Sequence, residues 1–142
     1  MTLSLVPYII TNGNGREAVE FYKKVFGAEV KNMQTFGEAH QDPNDPIPDD
    51  AKDKIMHAHL QIDNSELMIS DTYPGQPYTI GDQLSLAIVL SDIERAKRIF
   101  EGLSEGGKVE MPLQETFWSP LYGQVIDQFG VLWQVSTEGN NK

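Results

Sequence analysis

The chain has 142 residues, no cysteine and a formal net charge of −10 at pH 7. This length suits one ordinary domain or two small units that share a core. The lack of cysteine excludes disulfides, thiolate metal ligands and a cysteine nucleophile, and it fits a cytoplasmic protein. The acidic balance disfavours nucleic acid as a partner. No apolar run approaches the length of a membrane span, and the start MTLSLVPYII lacks the features of a signal peptide, so we expect no membrane partner.

The first predicted elements are a strand and a helix. Leu3–Ile10 is apolar and rich in β-branched residues, which indicates a strand. Pro7 predicts either that this strand lies at the edge of its sheet or that the ladder is interrupted there, because proline has no backbone N–H to donate. Asn14 and Glu17 predict a capped helix start, apolar residues follow at helical spacing, and Gly27 predicts the helix end.

An acidic stretch follows the second predicted strand, Glu29–Phe36. Gly37–Asp53 contains three prolines and five aspartates, and this composition predicts a loop. His40, Asp42 and Asp45 invite interpretation as a metal site, but we favour a solvated acidic loop.

The next predicted strand, Lys54–Ile62, alternates between apolar and polar residues. Because strand side chains alternate between two faces, His57 and His59 are expected to share the polar face with Gln61. A turn at Asn64-Ser65 and a strand at Glu66–Ser70 are predicted to follow. The opposite, apolar face is predicted to carry Met56, Ala58, Leu60 and Ile62.

The second half of the chain repeats the order of the first. Aligning Asn14 with Asp92 also pairs Ala18 with Ala96. Such self-similarity predicts one supersecondary unit used twice. Ser91 with Glu94 is expected to cap the second helix. The remaining predicted elements are the strand Gln83–Leu90, a helix ended by Gly102, Gly106 and Gly107, the strand Lys108–Phe117, and a hairpin of Tyr122–Asp127 and Val131–Thr137.

These elements predict an α+β fold of two βαβββ modules. Eight strands would form a cup, with the helices on its outer face. We expect a single domain over residues 1–142, with module one at about 1–71, a linker at about 72–83 and module two at about 84–137.

An ordered set of residues along nearly the whole chain carries a family resemblance. The set comprises Pro7-Tyr8, Asn12-Gly13, Ala18, Phe21-Tyr22, Val25-Phe26-Gly27, His57, Leu60, Leu67-Met68, Ser70-Asp71, Trp118, Tyr122-Gly123, Asp127, Phe129-Gly130 and Trp133. In this order it resembles the vicinal oxygen chelate superfamily, which includes glyoxalase I, extradiol dioxygenases and bleomycin-resistance proteins, and within it the PhnB-like branch. The resemblance implies paired βαβββ modules, a cup-shaped site and a homodimer.

Metal-dependent members of that superfamily hold a divalent ion with ligands on the first and last strands of each module. Those positions fall here on Pro7, Ser85 and Gln134, and near Met68 or Ser70. None of these side chains is a good ligand for a divalent cation beside imidazole and carboxylate. The resemblance therefore implies that the usual metal tetrad is absent.

His57 and His59 are the foremost candidate site residues. On one strand face they could contact a ligand, act as a base and a donor near neutral pH, or hold zinc or iron if a third ligand approached. They could also be polar surface residues bonded to neighbours.

Four further residues are weaker candidates. Gln134 could form hydrogen bonds to a ligand, or it could be an amide whose hydrogen bonds are satisfied within the pocket. Trp118 could close over a planar ligand or serve in core or dimer packing. Glu115 and Asp127 lie near the same region of the sequence, and Asp127 is expected to shape the hairpin turn.

The preferred interpretation is a protein that binds a small molecule in its cup without the usual divalent metal and without another cofactor. The alternative is a metal-dependent lyase or dioxygenase that uses His57 and His59, and a third possibility is metal-free acid–base chemistry on the same residues. The glycine-rich Asn12–Gly15 lacks the spacing of a phosphate or dinucleotide loop. With no unit to bind S-adenosylmethionine, we do not expect a methyltransferase.

Overall fold

The computed structural model describes residues 2–39, 44, 47–73 and 76–138. The chain divides into two compact units, Met1–Thr79 and Ile80–Lys142. Within the described residues each unit contains one four-stranded sheet and one long helix, in the order βαβββ. The predicted α+β fold of two βαβββ modules is therefore confirmed.

The first unit is built on a mixed sheet. Strand β1 pairs in parallel with β4 at one edge, β4 pairs antiparallel with β3, and β3 pairs antiparallel with β2. In chain order the elements are β1 (Tyr8–Thr11), α1 (Gly15–Phe26), β2 (Glu29–Thr35), the short helix α2 (Phe36–Ala39), a 3₁₀ turn (Asp49–Ala51), β3 (Ile55–Ile62) and β4 (Ser65–Asp71).

The first unit buries an apolar face of its sheet under α1, which contacts β1, β3 and β4. Period 3.6 places the apolar side chains of α1 on one stripe, and period 2 places those of each strand on one face. The buried side chains include Ala18, Val19, Tyr22 and Phe26 on α1, and Ala58, Leu60, Leu67 and Ile69 on the strands.

The edge position predicted from Pro7 is confirmed, because β1 lies at the edge of its sheet. The strand is shorter than predicted and begins only after Pro7, whose carbonyl accepts a hydrogen bond from Met68 N–H at 3.0 Å. The hairpin turn after β3 lies at Asp63-Asn64 instead of Asn64-Ser65, since Ser65 already pairs with Ile62. Asp63 adopts a positive φ of 52°, which aspartate tolerates in tight turns.

The two predicted helix caps differ from expectation. Asn14 precedes α1 but makes no side-chain capping bond, and its φ of −112° and ψ of 30° lie outside the extended region that a capping residue adopts. Before the second long helix the cap is Asp92, whose carboxylate accepts from Arg95 N–H, instead of Ser91. Gly27, in the left-handed conformation at φ 67°, ends α1 as predicted.

The predicted loop Gly37–Asp53 contains more structure than its composition indicates. Thr35 and Glu38 form a reciprocal capping box around the start of α2. A small apolar cluster lies beside this helix, and its members are Phe36, Ile47, Ala51 and the partly buried Met56. The candidate metal residues His40, Asp42 and Asp45 lie outside the described residues.

The second unit repeats this arrangement. Its sheet has the order β5-β8-β7-β6, with β5 parallel to β8 and the other pairs antiparallel. The helix contacts β6, β7 and β8 and buries Ala96, Ile99, Phe100 and Leu103. The elements are β5 (Leu86–Leu90), α3 (Ile93–Ser104), β6 (Lys108–Gln114), β7 (Tyr122–Ile126) and β8 (Leu132–Thr137).

Several bounds in the second unit differ from prediction. Strand β5 begins three residues later, β6 ends three residues earlier, and the hairpin strands are each one residue shorter. Helix α3 includes Gly102 and ends at Ser104, shortly before Gly106 and Gly107. Tertiary packing overrides the low helix propensity of a single glycine near a helix end. The predicted role of Asp127 in the hairpin turn is confirmed, because its carboxylate accepts from Phe129 N–H at 2.8 Å and Val131 N–H at 3.1 Å.

Candidate functional site

The two histidines of β3 lie on the sheet face opposite α1. Ala58 and Leu60 are fully buried, whereas His57 and His59 are partly exposed. This separation follows from the period-2 alternation of strand side chains. It places both imidazole rings where a molecule from solvent can reach them.

Residues directly opposite the histidines on neighbouring strands share their face. On β2, Gln34 lies opposite His57 and Asn32 opposite His59. On β4, Met68 lies opposite His59. We call this surface the imidazole face, and its residues are Tyr8, Asn32, Gln34, His57, His59 and Met68. It offers hydrogen-bond donors and acceptors without a dense cluster of charge.

Tyr8 holds His57 in place. The Tyr8 hydroxyl lies 3.0 Å from His57 Nδ1, and the two ring centroids are 5.8 Å apart. Because a phenol is a good donor and neutral imidazole has one acceptor nitrogen, we expect the hydroxyl to donate to Nδ1. The ring proton then lies on Nε2, which makes Nε2–H of His57 a donor toward a ligand oxygen.

His59 has a different partner. Its Nε2 lies 2.9 Å from Glu66 Oε1, within ion-pair distance but without the alignment of a hydrogen bond. The His59 side chain is 27% exposed and the Glu66 side chain 43% exposed. Both side chains are therefore partly open to solvent, while the Nε2 atom of His59 is itself buried.

The second unit contains a chain of polar side chains on the face of its sheet opposite α3. The Tyr122 hydroxyl donates to Gln134 Oε1 at 2.6 Å and accepts from Gln124 Nε2 at 2.9 Å. Gln134 Nε2 in turn donates to Ser85 Oγ at 2.8 Å. The flanking Trp133 and Val135 are buried toward the helix side. Gln134 therefore lies on the predicted face and is already hydrogen-bonded within its own unit.

Aromatic rings lie beside this polar chain. Trp118 contacts Tyr122 edge-to-face, with centroids 5.3 Å apart, and contacts Phe117 at 4.8 Å. Trp118 is 54% exposed and Phe117 is 96% exposed. Such a pair presents flat apolar surface to solvent, and this surface suits a planar molecule.

The carboxylates near this region differ in role. Asp127 is buried, and besides the turn amides it accepts from Trp133 Nε1 at 2.8 Å. All of these partners are structural, so Asp127 fixes the hairpin. Glu115 is exposed in the segment between β6 and β7. The structure gives Glu115 no part in the site.

The positions that the family resemblance assigns to metal ligands do not suit a metal. Ser85 and Gln134 bond to each other, and Pro7 contributes only a backbone carbonyl that is already paired with Met68 N–H. Hydroxyl, amide and thioether groups are weak ligands for a divalent cation. Among the residues that the structure describes, no three His, Asp or Glu side chains are placed to hold a metal ion.

Sequence reasoning missed Tyr8 as a site residue. It was visible as an aromatic residue in an apolar strand and as part of the Pro7-Tyr8 pair of the family resemblance, and neither signal indicates binding. The contact with His57 depends on the parallel pairing of β1 with β4, because that pairing brings residues 49 positions apart within bonding distance.

Within residues 2–39, 47–73 and 76–138 no helix has both the length and the apolarity to cross a bilayer.

The profile of the Glyoxalase/Bleomycin resistance protein/Dioxygenase superfamily matches residues 4–135. The chain therefore belongs to this superfamily. Protein YjdN of Escherichia coli (strain K12) is 34% identical to it over 143 aligned positions, covering 94% of this chain and 95% of that protein.

Two solved structures are similar to this chain in fold. Protein PA1353 from Pseudomonas aeruginosa is 42% identical, with a TM-score of 0.84 over 96% of this chain and 98% of that chain. The PhnB protein from Bacillus cereus is 24% identical, with a TM-score of 0.77 over 95% of this chain and 99% of that chain. At that lower identity the PhnB likeness shows the fold alone.

Proposed function

We propose that this protein binds a small oxygen-bearing organic molecule on the imidazole face, without the divalent metal tetrad of its superfamily. The observation that carries the proposal is the hydrogen bond between Ser85 and Gln134. Two positions that the resemblance assigns to metal ligands are occupied by side chains that satisfy each other. The fold is retained, but the side chains at the implied metal-ligand positions coordinate divalent cations weakly. This combination favours binding of a small molecule over metal-dependent chemistry.

The imidazole face supports binding of a specific chemical class. His57, with Tyr8 bonded to Nδ1, presents Nε2–H to an acceptor such as a carbonyl, ether or hydroxyl oxygen. Asn32 and Gln34 add amide groups along the same face. The net charge of −10 disfavours strongly anionic ligands. The second unit, taken by itself, offers a small molecule the flat exposed ring of Trp118 and the amide of Gln134.

Thermal-shift screening tests this proposal. A panel of hydroxy-carbonyl metabolites and oxygen-rich antibiotics is added to the untagged protein, because a ligand that binds only the folded state raises its melting temperature. The shift from a hit should shrink in His57→Ala and persist in Arg98→Ala, an exposed substitution on α3. A full panel without any shift, or a shift that His57→Ala leaves intact, would argue against binding at this face.

Metal content distinguishes the alternative function, a lyase or dioxygenase that uses His57 and His59. The untagged protein is loaded with zinc, nickel, manganese or iron, dialysed and measured by elemental mass spectrometry. We expect no stoichiometric metal. Retention that disappears in both His57→Ala and His59→Ala would replace the present proposal with the metal-dependent one.

We further propose that the protein is cytoplasmic, because its sequence has no cysteine, and that it is a homodimer, on the strength of the superfamily resemblance. Large apolar side chains beside the edge strand β1 support association, since Leu3 is 84% exposed and Leu5 is 91% exposed. Sedimentation should give the mass of two chains at micromolar concentration. A mass of one chain under those conditions would contradict the proposed homodimer.

A further inference from the structure

Two consecutive Asn-Gly pairs join β1 to α1, in the sequence Asn12-Gly13-Asn14-Gly15. Asn-Gly is the dipeptide in which asparagine most readily loses its amide, because glycine offers little steric resistance. The nitrogen of the glycine attacks the side-chain carbonyl carbon of asparagine, its proton is taken up by solvent base, and ammonia leaves. Water then opens the cyclic imide to aspartate or isoaspartate.

The structure holds both attacking nitrogens in hydrogen bonds to one carboxylate. Gly13 N–H and Gly15 N–H each donate to Asp71 Oδ1 at 2.8 Å. The Thr11 hydroxyl donates to the same oxygen at 2.8 Å, and Ile55 N–H donates to Oδ2 at 2.8 Å. Asp71 is only 4% exposed, so these are charge-assisted bonds in a protected setting.

The peptide planes on either side of Asn14 are therefore fixed. A Cβ placed on Gly15 would lie 2.8 Å from Asp71 Oδ2 and 2.9 Å from Thr11 Oγ1, which leaves no room for the chain to shift inward. Lys54 Nζ donates to Gly13 O at 2.9 Å and holds the carbonyl side of the same peptide segment. Neither glycine nitrogen can turn toward an asparagine side chain without breaking its bond to Asp71.

We infer that Asn12 and Asn14 form a deamidation site whose reaction Asp71 suppresses in the folded protein. Asn12 is exposed and Asn14 is half-buried, so water reaches the segment. The carboxylate lowers the rate in two ways. It accepts a hydrogen bond from each glycine N–H and its negative charge disfavours loss of that proton, and it directs the nitrogen away from the carbon it must attack.

The modification would have a structural consequence at the site. Isoaspartate inserts an additional carbon into the main chain, so Gly13 and Gly15 could not both reach Asp71 Oδ1. Strand β1 ends at Thr11, immediately before this segment, and carries Tyr8, which bonds His57. Deamidation at the junction would therefore loosen the strand that positions Tyr8.

Peptide mapping by mass spectrometry tests the inference. Wild type, Asp71→Asn and Asp127→Asn are incubated at mildly alkaline pH, and each asparagine-containing peptide is followed for the mass gained when an amide becomes a carboxyl. Conversion at Asn12 and Asn14 should be about tenfold faster in Asp71→Asn, the factor that corresponds to loss of one charge-assisted hydrogen bond.

The controls separate this local effect from unfolding. Asp127→Asn removes the corresponding buried carboxylate of the second unit, which accepts hydrogen bonds from Phe129 N–H, Val131 N–H and Trp133 Nε1–H. This substitution should leave the deamidation rate at Asn12 and Asn14 unchanged. Asn64, in the exposed hairpin turn, is an internal reference whose rate should be equal in all variants.

If Asp71→Asn does not fold, wild type alone decides the matter. The folded chain should convert at Asn12 and Asn14 at least about tenfold more slowly than the same chain unfolded in urea. Equal rates in the folded and unfolded chains, or a folded Asp71→Asn protein that converts no faster than wild type, would overturn the inference.

Discussion

Gln134 donates a hydrogen bond to Ser85 across the parallel strand pair β5–β8, with Nε2 and Oγ 2.8 Å apart. The residues are 49 positions apart in the chain, and the family resemblance implies that both occupy metal-ligand positions. Because Gln134 also accepts from the Tyr122 hydroxyl, its amide uses both its acceptor and its donor. The position therefore serves the stability of the second unit.

Replacing Gln134 with leucine should lower the free energy of unfolding. The substitution leaves Ser85 Oγ and the Tyr122 hydroxyl without these partners, and unsatisfied polar groups of this kind cost about 1–2 kcal/mol. Urea unfolding monitored by tryptophan fluorescence measures the change. The matched control is Gln83→Leu, an exposed glutamine whose replacement should change the free energy by less than about 0.5 kcal/mol. Equal effects of the two substitutions would contradict a stabilising network.

Metal removal should have no effect on stability. A structural or catalytic ion bound only by the folded state raises the melting temperature, and a chelator reverses that gain. We expect the same melting temperature before and after treatment with EDTA, and no increase when zinc or iron is restored. A fall of several degrees on chelation, recovered on addition of one metal, would show that the weak ligands at Ser85 and Gln134 are not the whole donor set.

The Tyr8–His57 contact predicts a single tautomer for His57. With the phenol donating to Nδ1, the neutral ring should carry its proton on Nε2, which nitrogen-15 NMR resolves directly. Tyr8→Phe should allow a mixture of tautomers. Tyr78→Phe is the control, because it removes a phenol hydroxyl that donates to Ile10 O and leaves the Tyr8 hydroxyl in place. An unchanged His57 spectrum in Tyr8→Phe would contradict the role of Tyr8 in fixing the His57 tautomer.

Much of the fold was predictable from local patterns. The alternation on β3 separated His57 and His59 from Ala58 and Leu60 because strand side chains alternate with period two. The helical spacing after Asn14 and after Asp92 likewise identified both long helices. What the patterns could not supply was register, since a parallel pair such as β1–β4 joins distant residues that no local signal relates.

The site was less predictable than the fold for this reason. Tyr8 and His57, or Ser85 and Gln134, meet only through strand pairing across the sheet. The capping box at Thr35 and Glu38 was present in the sequence as Thr-x-x-Glu, but it lies at the edge of a stretch whose prolines and aspartates indicate a loop. Composition averaged over the stretch concealed a short helix within it.

The two long helices should respond differently to loss of the residue before them. Asp92→Ala removes a side-chain cap on Arg95 N–H and should cost about 1 kcal/mol. Asn14→Ala removes no such bond and should cost less than about 0.5 kcal/mol, since the Asn14 side chain caps nothing. Chemical denaturation of both variants measures the difference. A larger loss for Asn14→Ala would show that Asn14 stabilises the junction by another contact.

Stability of the short helix α2 should depend on pH through Glu38. The backbone N–H and then the hydroxyl of Thr35 donate to its carboxylate and hold the pKa of Glu38 below its ordinary value of 4.5. A carboxyl whose folded-state pKa is lowered stabilises the fold above its unfolded-state pKa, and this contribution is lost as the pH falls through the folded-state value. Amide exchange at Thr35 should therefore become faster, relative to its intrinsic rate, as acid protonates Glu38.

The control variant Glu38→Gln keeps an acceptor for the capping box but removes the titrating group. Protection of the Thr35 amide in this variant should be nearly independent of pH over that range. Equal pH dependence in both proteins would assign the effect to another carboxyl group.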